Sequence, residues 1–225
     1  MFKKRKNFEP KVMAGQITKT LHKPYLVYKA AGIRKRIYKK IASLDVYGIK
    51  STEPIPFSER GAHKALPMKT GEAWGGKYDC AWFNVKGEIP DQVKGEHVVM
   101  ILDIQGEGCV IDSNGMPLKG LTGILSVSDL LNTVSGKKTF DITLDSKGGE
   151  KVDLWVDAGN NGILHTLYPK AKLKRAELAT VNRNAYDLYF DFITLLTGLY
   201  GLDKDSGRFK EVSSALKEAS GMLRK

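Results

Sequence analysis

Residues 103–122 read DIQGEGCVIDSNGMPLKGLT, and this stretch decides the fold class. Glu107–Asp112 has the residue types of a strand, and Asp112-Ser113-Asn114-Gly115 predicts a hairpin turn because Asn-Gly tolerates the positive φ of a type I′ turn. Gly106 and Gly108 are typical of β-bulges or of positions where another backbone comes close. Here they flank Glu107, whose side chain such a bulge would orient. A phosphate-binding loop is excluded, since the sequence has no G-x-x-x-x-G-K-[ST] motif and no third glycine completes G-x-G-x-x-G.

Strand patterns continue on both sides of this stretch. Tyr78–Val85 has one apolar face, Val98–Ile104 is almost continuously apolar, and Lys138–Leu144 and Lys151–Asp157 alternate apolar with polar residues. Lys147-Gly148-Gly149 is predicted to join the last two strands as a hairpin. Because short strands follow one another from about residue 77 to residue 182 without a helix-length insert, the sequence predicts an antiparallel sandwich rather than a βαβ sheet.

A helix is predicted before the strands. The residues Ile33, Ile37, Ile41 and Leu44 are spaced by four, four and three positions, which predicts an amphipathic helix over about 33–44. We favour packing of its isoleucine stripe onto its own protein. A membrane-surface helix or a contact with a phosphate backbone are the alternatives.

Two further helices are predicted after Asn182. Apolar side chains surround Asn184–Tyr200, as in a helix that is buried on all sides, whereas Phe209–Leu223 has a single apolar face. A lone sandwich has trouble covering the first of these helices, so we expect another domain or another copy of the chain to cover it.

The predicted fold is therefore mainly β: an antiparallel, jelly-roll-like β-sandwich with an N-terminal amphipathic helix and C-terminal helices. Three segments are expected. Residues 1–50 form a basic segment with the helix at about 33–44, residues 51–182 form the sandwich, and residues 183–225 are helical.

The net charge of +11 is concentrated at the N-terminus. Residues 1–50 hold 14 Lys and Arg against 2 acids, a net +12, whereas residues 51–225 hold 22 against 23, a net −1. The balanced charge of the larger part argues against a folded domain built around a nucleic-acid face. A basic arm remains as the nucleic-acid hypothesis.

Motifs of catalytic or metal chemistry are absent from the sequence. The four histidines have no metal-ligand spacing, and no H-E-x-x-H, C-x-x-C or G-x-S-x-G motif occurs. Cys80 and Cys109 lie within strand-like runs and are expected to be free thiols, which favours a reducing, cytoplasmic location. No apolar run long enough for a transmembrane helix and no secretory signal is found, so we expect no membrane partner.

Two loops and Glu107 are the candidates for contact with carbohydrate. Trp74 lies beside paired glycines, where an indole can pack against the apolar face of a sugar, although packing in the core is the more favoured interpretation. Asn160 and Asn161 directly follow a strand, where a turn is the first interpretation and a set of amide partners for hydroxyl groups the second. Glu107 is grouped with these loops because loops at one end of a sandwich often share a site.

Several motifs stand in a characteristic order along the chain. They are Trp74-Gly75, Ala81-Trp82-Phe83, Gly106-Glu107-Gly108 with Val110, Gly120-Leu121-Thr122, Asn161-Gly162 and Arg175-Ala176-Glu177-Leu178-Ala179, followed by the apolar helix around Tyr186–Leu199. This order, over roughly residues 33–200, resembles the region that precedes the catalytic domain in cytosolic and bacterial α-mannosidases of glycoside hydrolase family 38.

The resemblance implies a β-sandwich with flanking helices that packs against a zinc-binding α/β catalytic domain. That domain would follow residues 183–225, would bury the apolar helix and would hydrolyse terminal α-mannosyl residues of oligosaccharides. No residue here matches the family's zinc or nucleophile motifs, so no catalytic residue, metal ligand or cofactor is assigned to this chain, and the chain alone is expected to be inactive. His165 stands where the family usually has a small residue, which adds His165 to the contact candidates and leaves the sugar contact of that loop open.

The expected partners are the chain's own catalytic domain, a mannose-containing oligosaccharide and further copies of the chain in a homo-oligomer. Two alternatives remain. One is a stand-alone carbohydrate-binding module without hydrolytic activity. The other, less favoured, is a nucleic-acid binder that uses the basic arm.

Overall fold

The computed structural model describes residues 24–123, 138–161 and 169–223, apart from the side chains of Pro24 and Tyr200. The helices are α1 (Pro24–Arg34), α2 (Arg183–Gly198) and α3 (Gly207–Met222). The strands are β1 (Tyr38–Ser43), β2 (Asp45–Ser51), β3 (Leu66–Met68), β4 (Ala73–Gly75), β5 (Cys80–Glu88), β6 (Val98–Asp103), β7 (Glu107–Ile111), β8 (Pro117–Thr122), β9 (Thr139–Thr143), β10 (Lys151–Gly159), β11 (Ala171–Lys172) and β12 (Arg175–Val181).

The strands form two main antiparallel sheets. One has six strands in the order β3-β2-β5-β10-β7-β8, the other has four in the order β1-β12-β6-β9, and β4 pairs with β11 in a small separate ladder. The prediction of a mainly β, antiparallel fold with helices at both ends is confirmed.

The core of the sandwich comes from alternate residues of both sheets. Phe83 and Val156 of the six-stranded sheet pack in one cluster with Met100 and Leu178 of the four-stranded sheet, and all four are fully buried. Because side chains alternate along a strand, the neighbours of the core residues point to the opposite face. We call that side of the six-stranded sheet the outer face, and it carries Trp82, which packs in a separate cluster.

The described chain divides into two compact units, of which the sandwich, within residues 37–183, is the larger. The smaller unit contains α1, α3 and nearly all of α2. Within the smaller unit, Ser206 caps α3 by accepting a hydrogen bond from the Phe209 amide, and the Lys29 ammonium donates to the Leu223 carbonyl at 2.9 Å. The cap satisfies an amide that has no partner within the helix itself.

The prediction of a helix over 33–44 is wrong. Helix α1 ends at Arg34, and β1 pairs with β12 from Tyr38↔Val181 to Ser43↔Glu177. A bulge between Lys40 and Ala42 shifts the strand by one residue, so that the helix-like spacing of the isoleucines arises from a turn and a bulge. The start of the sandwich at residue 51 is also wrong, because β1 and β2 already belong to its sheets.

The hairpin predicted at residues 147–149 is wrong as well. β9 pairs with β6 in the four-stranded sheet, whereas β10 pairs with β5 and β7 in the six-stranded sheet. The connection therefore crosses between the two sheets. Alternation shows which face of a strand is buried, but it does not show which strand lies beside it.

The turn after β7 exists, although it is not of type I′. Gly115 has a φ of +85°, while Asn114 is not among the residues with positive φ, and a type I′ turn needs both. Instead, the Asp112 carboxylate accepts hydrogen bonds from the backbone amides of Asn114 and Met116, each at 2.8 Å. This side-chain arrangement fixes the turn in place of the primed geometry.

Within this chain helix α2 is buried along one stripe, so the predicted burial on all sides would need another domain or another copy of the chain to cover the rest. The buried residues are Ala185, Tyr189, Phe192 and Leu196, with the spacing of one helix face. Leu188 and Leu195 lie on another face and are 42% and 46% exposed. Helix α2 therefore presents two leucines, seven residues apart, to solvent in this chain.

Candidate functional site

The three loops with candidate contact residues meet at one end of the sandwich, which we call the loop end. Glu107 of β7 lies opposite Gly159 of β10, and Gly159 in turn lies opposite Cys80 of β5. The backbone of Asn160 donates to the Asp79 carbonyl and accepts from the Tyr78 amide, both at 3.0 Å. The segments 74–80, 104–108 and 158–161, which the sequence grouped only by analogy with other sandwiches, are therefore neighbours.

Backbone strain is concentrated at the same end. Among the described residues, the only non-glycine residues with a positive φ are Tyr78, at 66°, and Gln105, at 54°. Each such residue costs of order 1 kcal/mol or more and persists only where its surroundings hold it. Here the Asp103 carboxylate accepts from the Gln105 amide at 3.1 Å, and the Gly106 carbonyl accepts from the Gly123 amide at 2.7 Å.

Trp74 lies in the core, so the interpretation of its ring as a sugar platform needs correction. The side chain is 3% exposed, its Nε1 donates to the Ile104 carbonyl at 2.6 Å, and its ring stands edge-on to Phe83 at 5.5 Å between centroids. A Cβ at Gly106 would lie 2.7 Å from the Trp74 ring. Trp74 therefore supports the Gly106 loop from inside and presents no ring face to solvent.

Asn160 is also a supporting residue. It is fully buried, and its Nδ2 donates to the Gly76 carbonyl at 2.9 Å. The Gly76 amide donates in turn to the Asp79 carboxylate at 2.7 Å. Asn160 thus ties its own loop to the glycine-rich loop after β4, and its amide group is used within the protein.

Glu107 and Asn161 are the candidates that the loop end presents to solvent. Glu107 is exposed on the outer face of β7, opposite Gly159 and Thr122 of the neighbouring strands. A Cβ at Gly159 would lie 2.7 Å from Nδ2 of Asn161, so the Asn161 amide lies over Gly159 and on the same face as Glu107. His165 lies outside the described residues.

Tyr78 was not proposed as a contact residue, yet it is the aromatic side chain that this end exposes. It is 56% exposed, and the Lys77 ammonium lies 5.0 Å from its ring centroid. A tyrosine of this kind offers a ring face together with a hydroxyl group, as an aromatic contact for a sugar requires. The sequence feature that could have identified Tyr78 is its position two residues after Gly75-Gly76, in the same loop.

Asp157 is a second residue of interest that the sequence analysis did not single out, at the end of the predicted strand Lys151–Asp157. On the outer face it lies opposite Trp82 of β5 and Cys109 of β7. Partial burial among these neighbours raises the pKa of the Asp157 carboxyl group. Burial also raises the pKa of the Cys80 and Cys109 thiols, and the Asp157 carboxylate raises them further, so both free cysteines are neutral near pH 7.

The middle of the outer face is covered by the segment between β2 and β3. Trp82 Nε1 donates to the Ile55 carbonyl at 2.8 Å, and Phe57 packs edge-on to Trp82. The Arg60 guanidinium lies 3.6 Å from the Phe57 ring centroid and 5.0 Å from that of Trp155. These contacts cover the middle of the outer face, while polar groups reach solvent at the loop end and, through the Lys86–Asp153 ion pair, at the opposite end of the face.

The described part of the chain has neither a metal-binding cluster nor a membrane-spanning helix. No group of three or more His, Cys, Asp or Glu residues there could hold a metal ion. No described helix has the length and apolar character of a transmembrane span.

Comparison with protein families shows a match over most of the sandwich. The sequence profile of the family described as "Alpha-mannosidase, jelly roll domain" matches residues 39–181. The matched range begins in β1 and ends with β12, so it coincides with the two sheets.

Individual relatives are longer proteins. The chain is 29% identical to alpha-mannosidase 2C1 of Homo sapiens over 69% of this chain and 15% of the relative. It is 24% identical to alpha-mannosidase 2C1 of Mus musculus over 81% of this chain and 18% of that protein. Alpha-mannosidase G of Dictyostelium discoideum is 25% identical over 80% of this chain and 17% of its own length. The chain thus spans less than a fifth of each of these relatives.

Among solved structures, a β-glucuronidase of Ruminococcus gnavus is similar to 64% of this chain and 29% of its own, with a TM-score of 0.42 and 13% identity. A similarity of this size supports no argument about function.

Proposed function

The chain belongs to the α-mannosidase jelly roll domain family, and we propose that it is the non-catalytic sandwich region of a longer α-mannosidase. In this proposal the sandwich holds a separate catalytic domain, which hydrolyses terminal α-mannosyl residues of oligosaccharides. The observation that carries the proposal is the match of the whole sandwich to this family, together with relatives that extend far beyond the matched part.

The catalytic chemistry is assigned to residues outside this chain. The described residues contain no cluster that fits a metal ion, so they do not fit the zinc that the resemblance implies. Zinc would be held by the catalytic domain. We expect the 225-residue chain alone to be inactive as a glycosidase.

The exposed leucines of α2 are the proposed contact with that catalytic domain. Leu188 and Leu195 are about half exposed and lie on one helix face, beside the stripe of α2 that is already buried. Because less than half of each leucine remains exposed, covering both stabilises a contact by about 1 kcal/mol each. Contact between copies of the chain in a homo-oligomer is the second proposed use of this face.

The loop end is the proposed edge of the glycan-binding cleft. Glu107 and Asn161 offer a carboxylate and an amide for sugar hydroxyl groups, and Tyr78 offers a ring face. The carbohydrate-binding module remains the second candidate function, because the same three groups could bind a glycan without a catalytic domain. We also propose a cytoplasmic location, supported by two free cysteines whose thiols form no disulfide.

Two measurements on the 225-residue chain separate these functions. A chromogenic α-mannoside assay is expected to show no turnover, and calorimetric titration with manno-oligosaccharides is expected to show no binding at millimolar ligand. Turnover by the isolated chain would contradict the non-catalytic assignment. Binding without turnover, lost in Glu107→Gln and Tyr78→Ala variants, would instead establish the carbohydrate-binding module.

A further inference from the structure

A cavity of about 350 Å³ lies in the helical unit, where α1 ends. One face of α1 supplies Tyr28 and Ala31, and Lys35 follows directly after the helix end, where its amide donates to the Ala31 carbonyl at 3.3 Å. Leu223, the residue that ends α3, forms part of the wall. The volume lies in the range that small-molecule sites occupy in proteins.

The cavity has an excess of positive charge. Lys29, Lys35 and Arg36 line it, and Lys29 already donates to the Leu223 carbonyl. Within residues 24–123, 138–161 and 169–223, no carboxylate forms an ion pair with Lys35 or Arg36.

The helix ends compensate only part of that charge. Both α1 and α3 end at the cavity, and a helix C-terminus carries about half a negative charge. Three cations against two such ends leave about two positive charges. A ligand with two negative charges balances them.

The walls of the cavity are mainly apolar. Tyr28, Ala31 and Leu223 provide carbon surface, and Tyr28 is 79% exposed at the rim. An inorganic anion would leave this surface unused. A ligand with an apolar body attached to its anionic group contacts both the cations and the walls.

We propose that this cavity binds a small organic dianion, namely a phosphomonoester or a dicarboxylate with a short apolar body. Arg36 presents the planar fork of donors that pairs with two oxygens of a phosphate or carboxylate group, and Lys35 adds a second cation. The apolar body lies against Tyr28 and Leu223. This site belongs to the helical unit, whereas the loop end belongs to the sandwich.

Calorimetric titration of the 225-residue chain tests the proposal with four probes. Phenyl phosphate and phthalate represent the two classes of organic dianion, inorganic phosphate lacks the apolar body, and benzyl alcohol lacks the charge. We expect saturable one-to-one binding of at least one organic dianion, weakened by salt because the cations are close to solvent. The stronger of the two identifies the ligand class.

Matched variants locate the binding. Lys35→Gln with Arg36→Gln is expected to weaken binding of the dianion by about tenfold or more, since charge-assisted hydrogen bonds are lost. Gly32→Leu keeps every charge and adds bulk to the cavity lining, where a Cβ meets no atom within 4 Å, so it should also weaken binding without a clash. Lys39→Gln removes an exposed lysine of β1 and should leave affinity unchanged.

Three results would overturn the proposal. The first is the absence of saturable binding of either organic dianion to the wild-type chain. The second is unchanged affinity in both the double variant and Gly32→Leu. The third is equally tight binding of inorganic phosphate, which would show that the apolar wall contributes nothing, or of benzyl alcohol, which would show that the cations contribute nothing.

Discussion

Trp74 supports the loop end from the core, and its hydrogen bond gives a measurable contribution to stability. Its Nε1 donates to the carbonyl of Ile104, a residue that is itself 2% exposed. Trp74→Phe keeps an aromatic ring and removes the donor. Leaving a buried carbonyl without its partner costs about 1–3 kcal/mol, and the smaller ring leaves a void that adds about 1 kcal/mol. We therefore expect the free energy of unfolding to fall by about 2–4 kcal/mol.

Urea unfolding followed by circular dichroism measures this change. With a slope of about 2–3 kcal/mol per molar urea, the midpoint should fall by about 1 M. Leu144→Ala is the control, because Leu144 is 74% exposed and its truncation should change stability by less than about 0.5 kcal/mol. A Trp74→Phe chain whose urea midpoint equals that of the wild type would refute the reasoning, because the hydrogen bond to Ile104 and the packing of the ring would then contribute nothing measurable.

Three further predictions concern the same end of the sandwich. Gly106→Ala places a Cβ 2.7 Å from the Trp74 ring and 2.9 Å from the Gly159 carbonyl, so it should destabilise the chain by about 1–3 kcal/mol in urea unfolding. Gly120→Ala is its matched control, since a Cβ there meets no atom within 4 Å, and equal losses in both variants would contradict the packing argument. Asp157→Asn should stabilise the chain at neutral pH, because the raised pKa of the Asp157 carboxyl group means that folding penalises its charged form. That gain should vanish below the ordinary pKa of aspartate, where the carboxyl group is protonated in the folded and unfolded chain alike, and a gain that stays constant from pH 7 to pH 3 would point to another cause. In the intact enzyme, Glu107→Gln should lower kcat/KM for an oligosaccharide by about fivefold, which corresponds to the loss of one hydrogen bond. Glu218→Gln on α3 is the control and should leave kcat/KM unchanged. Equal kcat/KM for Glu107→Gln and wild type would remove Glu107 from the sugar contacts.

The sequence predicts most strands of the sandwich because one side of each strand is buried. The alternation of apolar and polar residues around Phe83 and Val156 identifies β5 and β10. The glycines around Glu107 identify the start of β7. The alternation of apolar and polar residues cannot show which strands are neighbours in a sheet. It failed at residues 147–149, where the chain passes from one sheet to the other, and at 33–44, where a bulge imitates the helical period.

The loop end was predicted in part, because turn residues show where loops occur but not what lies behind them. Glu107 and Asn161 were found and are exposed. The supporting roles of Trp74 and Asn160 depend on partners 30 and 84 residues away in the chain, Ile104 and Gly76, which no local pattern identifies.

The central claim is that this sandwich belongs to a longer α-mannosidase, and reading the coding DNA beyond the codon for Lys225 tests it most directly. We predict an open frame of several hundred further codons that encodes clustered Asp and His residues able to hold zinc. A stop codon directly after Lys225, with no adjacent gene for such a domain, would contradict the claim. The carbohydrate-binding module would then become the leading proposal.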